Sequence, residues 1–190
     1  MEENRFSLPH ADKVFDALRR GKHISPADDE IYAALAHHPE DFRLIFKALG
    51  FELCTHPMGF YYFKGGDSLS DKVTKIAVFM FILIDHLAGA DIDIEDALIG
   101  GRVFREEEMP HETTDRYANY MKEAGGATVK ACLGTLELLR FLDYTDAGGT
   151  SFRFRLPVYR FLDVCLEALE TQRHLAEKES KQQGAQEDNG

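Results

Sequence analysis

Twice along the chain, the spacing of apolar residues changes from the period of a helix to that of a strand. The first change follows residues 42–49 and leads into the segment 51–63. The second follows residues 129–136 and leads into residues 142–156. These two helix-to-hairpin transitions predict a mainly α fold with small β-hairpins, of the α+β class.

The first hairpin comes after three predicted helices. Apolar spacing indicates a helix from Ala11 to Arg20, and Ser25 followed by Pro26 is a typical helix start. The third helix ends at Gly50, after which strands on either side of a His-Pro-Met-Gly turn alternate with period two. Three short helices followed by a small hairpin is the order of elements in a winged helix.

The second half of the chain repeats this ending after a long apolar helix. That helix runs from about Lys72 to Leu87, and a later helix passes into a hairpin with a turn at 146–149. We therefore predict tandem winged-helix domains. The predicted boundaries are a first unit at 1–66, a second unit at 67–175 that includes the linking apolar helix and a C-terminal helix, and a disordered tail at 176–190.

Charge is segregated along the chain. The net charge of −11 opposes indiscriminate binding to nucleic acid, because Lys and Arg contacts to phosphate supply most of that affinity. Residues 91–115 carry nine acids against two arginines, a local charge of −7, whereas residues 127–160 have a local charge of +2. A nucleic-acid site is therefore expected only as a local patch in the second unit.

The sequence predicts a reduced, cytoplasmic protein without a membrane segment. Its three cysteines are an odd number at wide spacing, and the N-terminus lacks the basic start and apolar stretch of a signal peptide. The longest apolar run, Ile76 to Ile84, has nine residues, far fewer than the roughly 20 needed to cross a bilayer.

Motifs for the common enzyme chemistries are absent from the sequence. It has no P-loop, dinucleotide-binding glycine pattern, G-x-S-x-G or H-E-x-x-H. Its eight histidines lack the spacing of zinc ligands, and the acidic run Glu106–Glu108 is typical of a solvated face or a partner-binding strip. We predict no enzymatic activity, no metal site and no cofactor.

The first hairpin is a candidate partner-binding surface. Its second strand carries four consecutive aromatic residues, Phe60, Tyr61, Tyr62 and Phe63. Alternation sends one pair inward and leaves the other pair near the surface. Packing within the fold is one interpretation; the other is an apolar groove for a helix of another chain.

The second hairpin is the candidate nucleic-acid site. Alternation of Phe152, Phe154 and Leu156 predicts that Arg153 and Arg155 point away from the core. With cations of adjoining helices they form a predicted phosphate-contacting surface, whose members are Lys130, Arg140, Arg153, Arg155 and Arg160. Ordinary solvated arginines are the alternative.

The order of these elements resembles a known family. The segments that carry the resemblance are GKHISPADDEIYAAL, LGFELCTHPMGFYYFKGG, KVTKIAVFMFILIDHL and LELLRFLDYTDAGGTSFRFRLP, which together span about residues 10 to 170. In this order they look like a MukE/MksE-type kite subunit, a tandem winged-helix protein that associates with the kleisin of a bacterial SMC condensin-like complex.

The resemblance implies a non-catalytic, nucleoid-associated homodimer that binds a kleisin and, through it, an SMC ATPase acting on DNA. Relatives serve chromosome segregation and condensation or defence against plasmids. The family places DNA contacts chiefly on the second unit, in agreement with the charge count above. The alternative is a winged-helix transcription regulator, which usually needs a basic recognition helix. The helix at 42–49 offers only Arg43 and Lys47.

Overall fold

Three α-helices precede a two-stranded hairpin in the first half of the chain, in a computed structural model that describes residues 8–64 and 71–164. The elements are α1 (Ala11–Arg19), α2 (Asp29–His37), α3 (Pro39–Ala48), β1 (Leu53–Thr55) and β2 (Tyr61–Phe63). The strands pair antiparallel. Ile24, which precedes α2, forms an isolated antiparallel bridge with Tyr61 of β2.

Apolar faces of the three helices meet the hairpin in one core. Its main buried members are Val14, Leu18, Ile24, Leu35, Phe42, Phe46, Leu53 and Tyr61. Within α1 and α3 these residues recur at helical spacing. Burial of their side chains is the largest favourable contribution to the folding free energy of this half.

The start of α2 differs from the sequence prediction. Pro26–Asp28 forms a separate 3-10 turn, and α2 begins at Asp29. The carboxylate of Asp28 accepts a hydrogen bond from the backbone N–H of Ser25 at 2.8 Å. The Asp28 side chain is thereby turned back toward Ser25.

Residues 71–158 contain four α-helices and a three-stranded sheet. They are α4 (Asp71–Gly89), α5 (Ile94–Ile99), β3 (Phe104–Arg105), α6 (Asp115–Glu123), α7 (Val129–Leu138), β4 (Leu142–Tyr144) and β5 (Ser151–Phe154). The strand order is β3-β5-β4, and both pairings are antiparallel. β3 was not predicted, because a two-residue strand is too short to show alternation.

Helix α4 is the centre of the second half. Its described buried side chains are Ile76, Phe79, Met80, Ile82, Leu83, Ile84 and Leu87. The elements that it contacts most extensively are α5, α6, α7 and the 3-10 turn Pro110–Glu112, all in the same half. Helix α4 is therefore covered on several sides, and it packs chiefly within the second half.

A buried histidine lies in the polar loop after β3. His111 stacks on Phe79 with ring centroids 3.9 Å apart, and its Nε2 donates a hydrogen bond to the carbonyl oxygen of Phe79 at 2.9 Å. Burial is the main cause that lowers the pKa of His111 from 6.5 to about 4. His111 is therefore neutral at pH 7 and acts as part of the core.

The observed architecture confirms a mainly α fold with small antiparallel sheets. Residues up to Val158 form one compact unit, and a second unit begins at Tyr159, of which the structure describes residues 159–164 as helical. The boundary at residues 66 and 67 stays a prediction. The remainder of the predicted C-terminal helix and the tail at 176–190 lie outside the described residues.

Candidate nucleic-acid and partner interfaces

The aromatic strand β2 packs inside the protein on both of its faces. On one face, the Tyr61 ring lies 5.8 Å from that of Tyr32, and Phe63 packs against Phe46 at 5.1 Å. On the other face, Phe60 is fully buried beneath the ring of His56 at 4.3 Å. The expectation that one aromatic pair is left near the surface is wrong for Phe60.

His23 lies between the outer face of the first hairpin and the second half. The ring of His23 lies 5.8 Å from Tyr62 and 4.5 Å from Phe141, and the backbone N–H of His23 donates to the carbonyl oxygen of Leu139 at 3.2 Å. We call these residues and Phe60 the seam. Phe60 and Tyr62 therefore pack against a histidine that contacts the second half, and Tyr62 and Phe63 are half-exposed.

Arg153, in β5, and Arg155, directly after that strand, have different environments. Phe152 and Phe154 are buried and Arg153 is exposed, as their alternation predicts. Arg155, however, has a side chain that is only 9% exposed. The expectation that Arg155 points into solvent is wrong, because it turns toward a buried carboxylate of the first half.

That carboxylate belongs to Asp28, whose side chain is 1% exposed. Its Oδ2 lies 2.8 Å from Nη2 of Arg155, and its Oδ1 pairs with Nη1 of Arg140. Arg155 also donates to Oγ of Ser25 at 2.9 Å and pairs with Asp143 at 3.3 Å. We call these five residues the Asp28 cluster.

The Asp28 cluster makes Arg140 and Arg155 poor candidates for contacts to DNA phosphates. Moving Arg155 away from its partners would break a buried ion pair, a cost of about 3–5 kcal/mol, and Arg140, whose side chain is 30% exposed, pairs with the same carboxylate. Burial, together with the neighbouring charge of Arg155, lowers the pKa of Arg140. A structural role in joining the halves accounts for both side chains.

Backbone geometry adds to this interpretation of Arg140. Arg140 has φ of 65° and follows α7 at the place where Gly50, with φ of 83°, follows α3. The next residues, Phe51 and Phe141, each donate a hydrogen bond to a carbonyl five residues earlier at 2.8 Å. Helices commonly end in this left-handed conformation, which favours glycine. An arginine here bears about 1 kcal/mol or more of backbone strain, which its ion pair with Asp28 offsets.

Lys130 and Arg153 are exposed members of the predicted DNA surface. Lys130 lies in the first turn of α7 and lines an open cleft of about 860 Å³, which also contains Glu106, Glu107 and Glu112. These carboxylates reduce the attraction of the cleft for phosphate. Arg160 lies on the helical residues 159–164 of the second compact unit. The DNA contacts of these three residues stay predictions.

The described part of the chain contains neither a cluster of metal ligands nor a membrane-spanning helix. No group of three or more His, Cys, Asp or Glu side chains there has an arrangement that could hold a metal ion. Among the same residues, no helix combines the length and apolar character needed to span a bilayer.

The fold and its surfaces define a mainly helical protein whose two halves each end in a small hairpin and are joined by a buried ion cluster. The family model for the condensin complex protein MksE matches residues 9–166. The chain therefore belongs to the MksE family, and it is an accessory protein of a condensin complex. No curated protein matches the chain.

Proposed function

We propose that the chain is a non-catalytic, kleisin-binding subunit of a cytoplasmic, nucleoid-associated SMC complex of the MukBEF or MksBEF type. The family match to a condensin complex protein is the observation that carries this proposal. In this proposal, the chain folds into tandem winged-helix domains and forms a homodimer. An SMC ATPase reached through the kleisin supplies the catalysis.

The topology of the two halves supports the tandem winged-helix part of the proposal. In the first half, an extended residue, Ile24, pairs with the second strand of the hairpin, and in the second half β3 does the same. Two helices lie between the extended segment and the hairpin in each case. Two halves with one order of elements are expected from tandem copies of one fold.

The transcription-regulator alternative fits the first half poorly. In a DNA-reading winged helix, α3 would present polar or basic side chains to the major groove. Here its exposed residues include Leu44, Ala48 and Leu49, with Lys47 among them. Such a surface is better suited to protein than to bases.

Co-purification tests the proposal directly. We expect the full chain to form a stable complex with the kleisin and the SMC protein encoded in the same genome, with any ATPase activity lost on mutation of the SMC protein. A wild-type chain that remains unbound when mixed with the kleisin, and binds one DNA sequence with nanomolar affinity by itself, would favour the regulator. Adjacent genes would distinguish chromosome segregation from plasmid defence.

A charge-reversal variant tests the DNA surface. We expect Lys130→Glu with Arg153→Glu to weaken DNA binding by the assembled complex and to reduce the slope of log affinity against log salt by about 2, because each phosphate contact contributes about one unit. Both side chains are exposed or half-exposed, so the fold should be retained. Arg155 is unsuitable for this purpose because of its burial.

The matched control reverses two exposed lysines elsewhere, Lys13→Glu with Lys122→Glu, at the same net charge. Electrophoretic mobility or fluorescence anisotropy over a range of salt concentrations measures the effect. Equal losses in the test and control variants would show a general charge effect and remove Lys130 and Arg153 from the DNA site.

A further inference from the structure

An apolar surface of α3 and its C-terminal end is uncovered by the described residues. Leu44 is 68% exposed and Leu49 is 57% exposed. Leu44, Lys47 and Ala48 follow one another at i, i+3 and i+4, which places them on one side of α3, and Phe51 follows the left-handed Gly50 at the end of the helix. We call these four residues and Leu49 the α3 face.

Buried side chains on the opposite side of α3 support the α3 face. Phe42 and Phe46, on the opposite side of the helix, are buried in the core. The ring of Phe51 meets that of Phe15 edge-on at 5.2 Å and stacks on Phe63 at 4.9 Å. A preformed surface loses little conformational entropy when a partner binds.

An open cleft beside this face could receive a partner side chain. It has a volume of about 520 Å³ and is lined by Arg43, Lys47, Gly50, Phe51, Glu52 and Leu53. A cleft next to exposed leucines and an aromatic ring is the usual setting of an interface anchor.

Lys47 supplies a positive charge within this face, and the exposed carboxylate of Asp41, one turn before Leu44, lies 3.7 Å from Nδ1 of His38. Arg43 pairs with Glu40 and donates to Oγ1 of Thr55, and Glu52 lies 3.5 Å from Lys64. Within residues 8–64 and 71–164, no carboxylate forms an ion pair with Lys47. The complementary partner therefore brings apolar side chains and at least one carboxylate.

A second copy of the chain matches this surface less well. In a two-fold contact each surface meets itself. Lys47 belongs to the α3 face, so such a contact would place the Lys47 ammonium groups of both copies in one interface. Nucleic acid fits no better, since the leucines offer nothing to a phosphate.

We propose that the α3 face docks an apolar, acid-flanked segment of the kleisin. This inference rests on the proposed function and adds to it the surface used. It also places the partner site of the first half on α3, whereas the sequence pattern pointed to the aromatic strand β2.

The test compares the affinity of the full chain for purified, full-length kleisin from the same genome, by titration calorimetry. We expect Leu44→Glu with Leu49→Glu to weaken binding by about tenfold or more, since loss of central apolar contacts typically costs over 1 kcal/mol. Lys47→Glu, a change at an exposed position of the helix, should weaken binding severalfold, with a smaller effect at high salt. Leu138→Glu with Val103→Glu, two exposed apolar residues elsewhere, is the matched control and should bind as the wild type does.

The possible outcomes separate this inference from the function on which it rests. A wild-type chain that fails to bind the kleisin would overturn the proposed function. Wild-type and Leu44/Leu49 variants that bind equally would overturn only the α3 face. So would sedimentation showing that the variants lose self-association while kleisin binding persists, because the face would then join two copies. Binding by the Lys47→Glu variant at full affinity would contradict the predicted acidic flank.

Discussion

Replacing Asp28 with alanine is expected to lower the free energy of unfolding by about 3–5 kcal/mol, the range measured when one partner of a buried ion pair is removed. The carboxylate of Asp28 is nearly inaccessible and accepts from the Ser25 backbone while it pairs with Arg140 and Arg155. Its loss leaves Arg155 in a buried position with only the exposed Asp143 as a charged partner. Urea unfolding followed by circular dichroism measures the change.

Asp143→Ala is the matched control for this prediction. It removes a carboxylate from the same arginine, but the Asp143 side chain is exposed, so we expect a loss of less than about 1 kcal/mol. Equal, small effects of the two substitutions would show that the Asp28 cluster contributes little to stability.

A double-mutant cycle separates the ion pair from the burial of its members. Asp28→Leu with Arg155→Met should cost less than the two single substitutions added together, because each single change strands the other charge. Strict additivity would mean that the two side chains do not interact in the folded protein.

The second large effect concerns His111 and pH. Its pKa is about 4 in the folded protein against an ordinary value of 6.5, so the unfolded chain binds the proton more tightly. The free energy of unfolding should therefore fall as the pH is lowered from 6.5 to 4, by up to about 3 kcal/mol, and this contribution should level off below pH 4. Above pH 6.5 His111 is neutral in both states and has no effect on the pH dependence.

Carboxylates titrate in the same range, so the measurement is a comparison of variants. His111→Phe keeps a ring against Phe79 and removes the titrating group, and its stability should fall less steeply between pH 6.5 and 4 than that of the wild type. An NMR titration with a His111 midpoint near 6.5 would contradict the prediction.

Much of the local structure follows from residue patterns. The 3.6-residue and two-residue periods located α1, α3, α4 and α7 and both hairpins, because these elements differ in which side chains they can bury. Short elements without a periodic pattern, such as β3, could not be found in this way. The predicted placement of Arg153 also followed from alternation alone.

The prediction failed where a side chain has its partner in the other half. Arg155 was assigned to an outer surface because alternation only says that a residue faces away from its own core. It cannot say whether that outward face is solvated or covered. The bond between Arg155 and Ser25 spans 130 residues of sequence. No local signal marks such a contact, and the same holds for His111 beneath α4.

The sequence by itself determined a mainly helical chain with two helix-to-hairpin transitions, because periodicity is a local property of neighbouring residues. Only the tertiary structure decided which faces meet. It buried Phe60 and Tyr61 of the aromatic segment, placed two of the predicted DNA-binding arginines in the Asp28 cluster, and left the α3 face uncovered by the described residues. The physical reason is that burial depends on the contacts of distant segments, whereas the patterns in a sequence report only which side of an element is apolar.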